Sequence, residues 1–266
     1  MKKRWTGFTL IEVSLFLAIT GLLFVGIAIG TQNSISRQRS YDSVQNFAEF
    51  LRSVYSEVSN PQSVGDGRSD TAIYGKLISF GETFDMSGNN NDRKMIFVYD
   101  VVGNVSNGLG SGNIIDALKR VKANVVVASN TGSDTAVPAG VVENYIPKWQ
   151  AEVENVDNSD DFRGSVLIVR HPGSGTINTL ASASTLEINN WVYVESRRAS
   201  AIGDLFQTQL DSFSVRDTDL CLNTSGKAIS DKRTDIRIVS NAHNASGVEI
   251  IGLDDDGPNG NRCRDW

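Results

Sequence analysis

A single carboxylate lies within a long apolar segment near the start of the chain. Glu12 is the only charged residue among the 23 residues from Phe8 to Gly30. A lone ionised side chain is costly at membrane depth and is a functional candidate, because in a bundle of packed helices it needs a cationic partner or hydrogen bonds. The alternative is a glutamate at the membrane interface, favoured by the positive end of the helix dipole.

The apolar segment that carries Glu12 is long enough to cross a membrane. As an α-helix, its 23 residues span roughly 35 Å, against a bilayer core of about 30 Å. Three basic residues, Lys2 to Arg4, precede it and would hold this end on the cytoplasmic side. A secretory signal has its cleavage site after the apolar core. Here the candidate site, Gly7-Phe8, lies before the apolar segment, so cleavage there would leave the helix on the mature chain.

The residues from the candidate cleavage site to the carboxylate read Gly7-Phe8-Thr9-Leu10-Ile11-Glu12. This motif resembles that of the type IV pilin superfamily, which includes type II secretion pseudopilins and competence pilins. The resemblance implies that a prepilin peptidase cuts after Gly7 and methylates the new amino terminus of Phe8. It also implies that Glu12 pairs with the terminal amine of a neighbouring subunit during assembly. The resemblance is specific over residues 1 to about 30 and weak beyond them.

Beyond Gly30 the segment becomes amphipathic. Apolar residues recur at spacings of three and four, which places them on one helical face: Val44, Phe47, Ala48, Leu51, Val54, Tyr55 and Val58. No proline precedes Pro61, so one continuous helix is expected from about Phe8 to Val58, with Asn60-Pro61 ending it. The apolar stripe fits core packing against the following domain better than a partner-binding face, since a sheet needs a helix to cover it.

The remainder of the chain predicts a β-rich domain. Strands are expected at Ile73–Phe80, Lys94–Val102, Val121–Ala128, Ser165–Arg170, Trp191–Ser196, Leu205–Val215, Asp235–Ser240 and Val248–Ile251. Short helices are expected at Asn113–Arg120 and Lys148–Val156. The expected fold class is α+β, a long N-terminal helix packed on an antiparallel, pilin-like sheet. The chain divides into a leader (1–7), a transmembrane and assembly helix (8–30), its amphipathic continuation (31–60) and a globular head (61–266).

Two cysteines, Cys221 and Cys263, fall in the part expected to lie outside the cytoplasm. A disulfide is favoured there, whereas in a cytosolic chain the pair would be free thiols. The resemblance adds that pilin heads often pin their terminal segment to the sheet with such a bond.

Metal binding and catalysis have weaker signals. Asp254, Asp256, Asn259 and Asn261 offer hard oxygen ligands of the kind that Ca²⁺ prefers, but a solvated acidic turn explains them more simply. A zinc site would need His171, His243 and both cysteines to converge, and each histidine suggests a turn. No nucleophile or phosphate-binding motif is evident, so neither an enzyme nor a cofactor is expected.

The charge argues against a protein whose main task is nucleic-acid binding. The formal net charge is −6, and it becomes −9 once residues 1–7 and their three positive charges are removed. Basic pairs at Arg197-Arg198, Lys232-Arg233 and Arg262/Arg264 could bind DNA, but ordinary surface charge explains them better.

We therefore expect a structural subunit, a minor pilin or a pseudopilin, of a type IV pilus-like filament. It would cross the cytoplasmic (inner) membrane once, with its head outside the cytoplasm, and then enter an extracellular or periplasmic filament. Its expected partners are other pilin subunits, the prepilin peptidase and the membrane. The alternative is a membrane-tethered or filament-tip binding module, either a DNA receptor or an adhesin that binds a surface ligand.

Overall fold

The computed structural model describes residues 9–60, 71–84, 93–104, 112–125, 143–154, 164–182, 206–224, 233–240, 242, 244–251 and 263. Within these ranges the chain forms one long N-terminal helix and two antiparallel sheets. The α+β class expected from the sequence is confirmed.

The long helix, α1, runs from Leu10 to Ser59 over 50 residues. It is continuous because proline is absent from its sequence, and at 1.5 Å per residue it extends about 75 Å. Asn60 caps its C-terminal end, and its backbone N–H donates to the Ser56 carbonyl. The expected helix from about Phe8 to Val58 agrees with α1 to within two residues.

The strands of the described residues form a large sheet and a small one. In chain order they are β1 (Thr71–Phe84), β2 (Arg93–Asn104), β3 (Asn124–Val125), β4 (Glu143–Tyr145), β5 (Glu152–Glu154), β6 (Gly164–Arg170), β7 (Ile177–Ser182), β8 (Ser214–Val215), β9 (Thr218–Asn223), β10 (Arg233–Ile238) and β11 (Val248–Ile251). The large sheet has the order β3-β2-β1-β6-β7-β8, with β4 also paired to β2. The small sheet has the order β11-β10-β9-β5. Every pairing is antiparallel.

The second half of α1 packs between the two sheets. All seven residues of the predicted apolar stripe are buried, and Phe50 joins them. They share one hydrophobic core with Ile78, Val98 and Ile168 of the large sheet and with Leu220 and Ile236 of the small sheet. The prediction that the stripe packs against the following domain is confirmed.

The opposite face of the large sheet has its own hydrophobic core. Alternate residues of the central strands, such as Leu77, Phe97 and Leu167, point to this side because side chains alternate along a strand. A short helix, α2 (Ile114–Arg120), covers them and is capped by the Asn113 side chain. The expected helix at Asn113–Arg120 is therefore confirmed.

Two sequence predictions are wrong for reasons that involve the tertiary structure. The predicted strand at Leu205–Val215 contains a helical turn at residues 206–209 and a 3₁₀ turn at Leu210–Ser212, and only β8 is extended. Its apolar residues Phe206, Leu210 and Phe213 have helical spacing and enter the second core together.

The predicted helix at Lys148–Val156 is a 3₁₀ turn at Lys148–Gln150 followed by β5. Trp149, the middle residue of the turn, adopts left-handed backbone angles (φ 59°, ψ 32°), which a regular right-handed helix does not contain. Of the predicted strand Val121–Ala128, only Asn124–Val125 is extended within the described part, since Val121 caps α2. The predicted strand Trp191–Ser196 lies outside the described residues.

Candidate functional site

Glu12 lies in the first turn of α1, where it closes a reciprocal cap with Thr9. The Thr9 backbone N–H donates to Glu12 Oε2 at 3.1 Å, and the Thr9 hydroxyl donates to the same oxygen at 3.0 Å. In return the Glu12 backbone N–H donates to Thr9 Oγ1 at 3.4 Å. This capping box satisfies backbone donors that a helix start leaves without intrahelical partners. In the single chain, Glu12 thus has hydrogen-bond partners but no cation within the described residues.

The first half of α1 carries an apolar surface that nothing in the described head covers. Among the described residues, α1 is the helix that is long and apolar enough to cross a membrane. None of the residues in its most apolar stretch is buried inside the structure. Large side chains including Leu10, Phe16, Leu22 and Phe24 are at least 60% exposed. An apolar surface of this size marks a contact with membrane or protein.

The few polar side chains of this half are compatible with an apolar environment. The Ser14 hydroxyl donates to the Ile11 carbonyl at 2.9 Å, and the Thr20 hydroxyl donates to the Phe16 carbonyl at 2.8 Å. Thr31 repeats the arrangement with Ile27 at 3.0 Å. Because each hydroxyl bonds within its own helix, its burial in lipid leaves no unpaired donor.

The second half of α1 is attached to the large sheet by a charged cluster as well as by the core. Lys76 on β1 is 7% exposed. Its Nζ lies 2.7 Å from Asp100 Oδ1 on β2 and 2.8 Å from Glu57 Oε2 on α1. Burial lowers the pKa of Lys76, but the bonds to both carboxylates outweigh it and leave that pKa raised. Burial raises the pKa of nearby Glu143, with Glu57 adding to the effect.

Two further contacts join α1 to the rest of the head. The Tyr55 hydroxyl is buried against the Thr179 hydroxyl and donates to the Val239 carbonyl at 3.3 Å. Burial raises the pKa of Tyr55 to about 12. Arg52 donates to the Val248 carbonyl at 3.1 Å and so reaches β11 of the small sheet. The long helix and the head therefore form one structural unit.

Cys221 and Cys263 form a disulfide, as expected. Cys221 lies in β9, between β10 and β5 of the small sheet, and its Cα is 5.6 Å from that of Cys263. The bond therefore ties the C-terminal segment to the small sheet that covers α1. It also engages both sulfurs, which removes them as the zinc ligands that the sequence had left open.

His171 belongs to a tight turn, as the sequence predicted. The turn borders an open cleft of about 610 Å³ whose lining combines polar residues such as Asn113 and Asn178 with the apolar Ile114 and Val215. His171 Nε2–H donates to the Gly112 carbonyl at 3.1 Å, and Nδ1 accepts from the backbone N–H groups of Gly173 and Ser174, both at 3.0 Å. Both ring nitrogens are engaged, so His171 holds the turn together and offers no unbonded ring nitrogen to a substrate.

Several predicted sites fall outside the described residues. These are Gly7 and Phe8 of the processing site, the calcium candidates Asp254, Asp256, Asn259 and Asn261, and His243. The described residues contain no group of three or more His, Cys, Asp or Glu side chains placed to hold a metal ion. Arg233 is the member of the predicted basic pairs that the structure describes. Its Nη2 lies 3.1 Å from Glu154 Oε2.

The sequence interpretation missed the role of Thr9 and the charged cluster at Lys76. A signal for Thr9 was present, because Thr9-Leu-Ile-Glu12 before an apolar run matches the capping-box pattern. Lys76 and Asp100 have no such signal, since they meet only through the register of β1 and β2.

The chain matches no known family profile, no curated protein and no solved structure at a significant level. Any functional assignment therefore rests on the N-terminal motif and on the geometry described above.

Proposed function

We propose that this chain is a structural subunit, a minor pilin or a pseudopilin, of a type IV pilus-like filament. It is stored in the cytoplasmic membrane through the first half of α1, with its head outside the cytoplasm. After processing between Gly7 and Phe8, it packs against other pilin subunits through the same half-helix.

One observation carries the proposal: α1 is half buried in the head and half exposed and apolar, with Glu12 as the lone charge of the exposed apolar half. A helix that served only the head would end near the head. A plain membrane anchor would have no need of a carboxylate at membrane depth. A packed bundle of such helices accounts for both features, because it covers the apolar surface and can supply a cation for Glu12.

Processing is tested by expressing the chain with a prepilin peptidase and measuring the intact mass of the membrane-extracted protein. The expected chain begins at Phe8 and carries one added methyl group. Gly7→Leu is expected to remain uncut, because only a residue without a side chain fits beside the scissile bond. A mature start beyond Gly30 would identify an ordinary signal peptide and would end the proposal.

Assembly is tested by comparing Glu12→Gln with Thr9→Val. Thr9→Val removes the hydroxyl from the cap and keeps the charge of Glu12, whereas Glu12→Gln keeps an oxygen that can accept the Thr9 bonds and removes the negative charge. We expect both to insert into membranes, and we expect Glu12→Gln to enter filaments far less than Thr9→Val does. Equal incorporation of the two variants would mean that Glu12 acts as a cap alone, without a partner amine.

A further inference from the structure

At the edge of the head nearest the apolar half of α1, a turn of the chain packs along the side of this helix. The chain from β4 runs down the side of α1, because Tyr145 stacks on Phe50 with ring centroids 4.2 Å apart, and the Lys148 carbonyl accepts from the Ser43 hydroxyl at 3.0 Å. The Arg39 guanidinium then lies over the Trp149 ring, 4.8 Å from its centroid. These contacts run along α1 toward its N-terminus, so Trp149 lies at the tip of a turn that points toward the apolar half.

The turn holds an aromatic side chain outside the core. Trp149 is 51% exposed, and its left-handed backbone is a conformation that bulky residues rarely adopt. Such outliers persist where the surrounding structure imposes them, and they cluster at functional positions. The exposed residues at this level of α1 and of the turn are aromatic, apolar and basic. We define them together as the basal edge, composed of Arg37, Arg39, Tyr41, Ile146, Lys148 and Trp149. Arg39 lies on the side of α1 that carries Trp149, and Arg37 and Tyr41 lie on the other side of the helix.

The charge of the basal edge is positive although the whole chain is acidic. Residues 31–46 of α1 and residues 146–149 of the turn contain three basic residues and one acidic residue, Asp42. Lys148 also donates to the Asn46 side chain at 2.7 Å, and among the described residues its ammonium group has no carboxylate partner. This composition, with tryptophan, tyrosine and basic side chains together, is that of a membrane–water interface.

The position of the basal edge relative to the apolar segment agrees with this composition. Arg39 lies nine residues beyond Gly30, which is about 13 Å along the axis. Helical side chains lean toward the N-terminus, so the guanidinium and the stacked ring lie nearer the apolar segment than the Arg39 Cα does. The headgroup layer extends roughly 5–8 Å beyond each side of the hydrocarbon core, and membrane helices tilt by about 20°, which lowers one side of the head further.

We propose that the basal edge is a phospholipid-binding surface, on which Trp149 enters the headgroup layer and Arg39 and Lys148 bind lipid phosphates. This inference rests on the membrane anchoring by α1 within the proposed function. It adds a second contact that fixes how the head sits on the membrane before assembly.

The test uses the full chain in vesicles of phosphatidylcholine and phosphatidylglycerol. Trp149 is made the sole tryptophan with W5F, W191F and W266F, and its fluorescence is quenched by a nitroxide attached either to the lipid headgroup or to the end of the acyl chain. The control chain carries W149F and F24W as well, which places its sole tryptophan in the apolar half of α1. We expect headgroup quenching for Trp149 and acyl-chain quenching for the control.

The charge requirement is tested by Arg39→Gln and Lys148→Gln, with Lys122→Gln as a matched change at an exposed lysine just after α2. The first two are expected to reduce headgroup quenching of Trp149, and 0.5 M salt should reduce it in the parent chain because exposed charges are screened. Lys122→Gln should leave it unchanged.

The outcomes separate the surface from the anchor. Quenching of the control tryptophan without quenching of Trp149 would leave the anchor intact and overturn the lipid-binding surface. Quenching of neither would show that α1 does not enter the bilayer and would end both proposals. Protection of Trp149 from aqueous iodide that grows with protein density, without headgroup quenching, would assign the basal edge to a neighbouring copy and would also overturn this inference.

Discussion

Removal of the Lys76 ammonium should destabilise the head more than removal of the Glu57 carboxylate that it contacts. Lys76 is 7% exposed, and the Asp100 side chain is 17% exposed, so Lys76→Met leaves Asp100 largely buried without a cation. Breaking one partner of a buried pair costs about 3–5 kcal/mol of unfolding free energy. The Glu57 side chain is 49% exposed, and its bond to Lys76 is worth about 1 kcal/mol or less.

The assay is urea unfolding of the detergent-solubilised chain, followed by near-ultraviolet circular dichroism at pH 7. We expect Lys76→Met to lower the unfolding free energy by about 3 kcal/mol or more and Glu57→Gln to lower it by at most about 1 kcal/mol. Adding Asp100→Asn to Lys76→Met should restore part of the loss, because the orphaned charge is then gone. Lys122→Met serves as the control for an exposed lysine.

A lower pH should also restore part of the unfolding free energy that Lys76→Met loses. The pKa of Glu143 is raised by burial and by Glu57, and Lys76 opposes this. Without Lys76 that pKa rises further, so the folded variant binds a proton more readily than the unfolded chain does. The deficit of Lys76→Met should therefore shrink as the pH falls from 7 toward 5. A loss below about 1 kcal/mol at pH 7, or no rescue by Asp100→Asn, would refute the buried-pair argument.

Three further predictions concern the head. The pKa of Tyr55 is raised to about 12 from an ordinary 10, so its contribution to stability is complete below pH 10 and is lost as the pH rises to 12, by roughly 2–3 kcal/mol. Tyr55→Phe should reduce the loss of stability over this pH range but not abolish it, because burial also raises the pKa of Tyr145 to about 12. A stability–pH curve unchanged by Tyr55→Phe would contradict the burial argument. Cys263→Ser opens the loop closed by the disulfide with Cys221, 42 positions apart, and should lower the unfolding free energy by about 4 kcal/mol. It should make the head, but not the apolar half of α1, more sensitive to protease than in the parent chain. Lys122 has a positive φ of 50° after α2, so Lys122→Gly should raise the melting temperature by removing about 1 kcal/mol of backbone strain, whereas Lys122→Ala should not.

The elements that the sequence predicted well are those whose signals are local. The boundaries of α1 follow from uninterrupted apolar periodicity and from Asn60-Pro61, and α2 follows from Asn113 as a cap with Ile114 and Leu118 behind it. Strands β1, β2 and β6 are long apolar runs that are buried on both faces, so their composition alone was sufficient. In each case the side chains that define the element also form its packing surface.

The failures occur where a distant contact decides the local conformation. Residues 205–215 are apolar enough for a strand, but Phe206, Leu210 and Phe213 share one face because the second core lies on one side of them. Residues 148–156 have a helical pattern, but Trp149 is held in a left-handed conformation while Lys148 bonds to Ser43 of α1. Neither constraint is visible within a sequence window of ten residues.

The candidate site shows the same division between local and distant signals. Glu12 was predictable as a candidate because residues 8–30 contain no other charge, whereas the Lys76 cluster depends on strand register and on the position of α1 over the sheet. Trp149 at the basal edge had no sequence signal, since an isolated tryptophan is more often part of a core. Its exposure indicates a functional surface only in combination with the contact to Arg39, which lies 110 positions earlier in the chain.

The cap at Glu12 bears on how a stored subunit would differ from an assembled one. In the single chain the carboxylate already accepts two hydrogen bonds from Thr9, a cap worth about 1 kcal/mol. A partner amine in the proposed filament therefore competes with an intrachain arrangement and does not rescue a bare charge. The free energy gained when Glu12 pairs with the partner amine would then be smaller than the cost of placing an unpaired carboxylate in lipid. The hydrogen bonds from Thr9 would already offset part of that cost before assembly. Membrane storage and filament assembly would thus differ by a modest free energy at Glu12, and the apolar surface of α1 would supply the larger share of the assembly free energy.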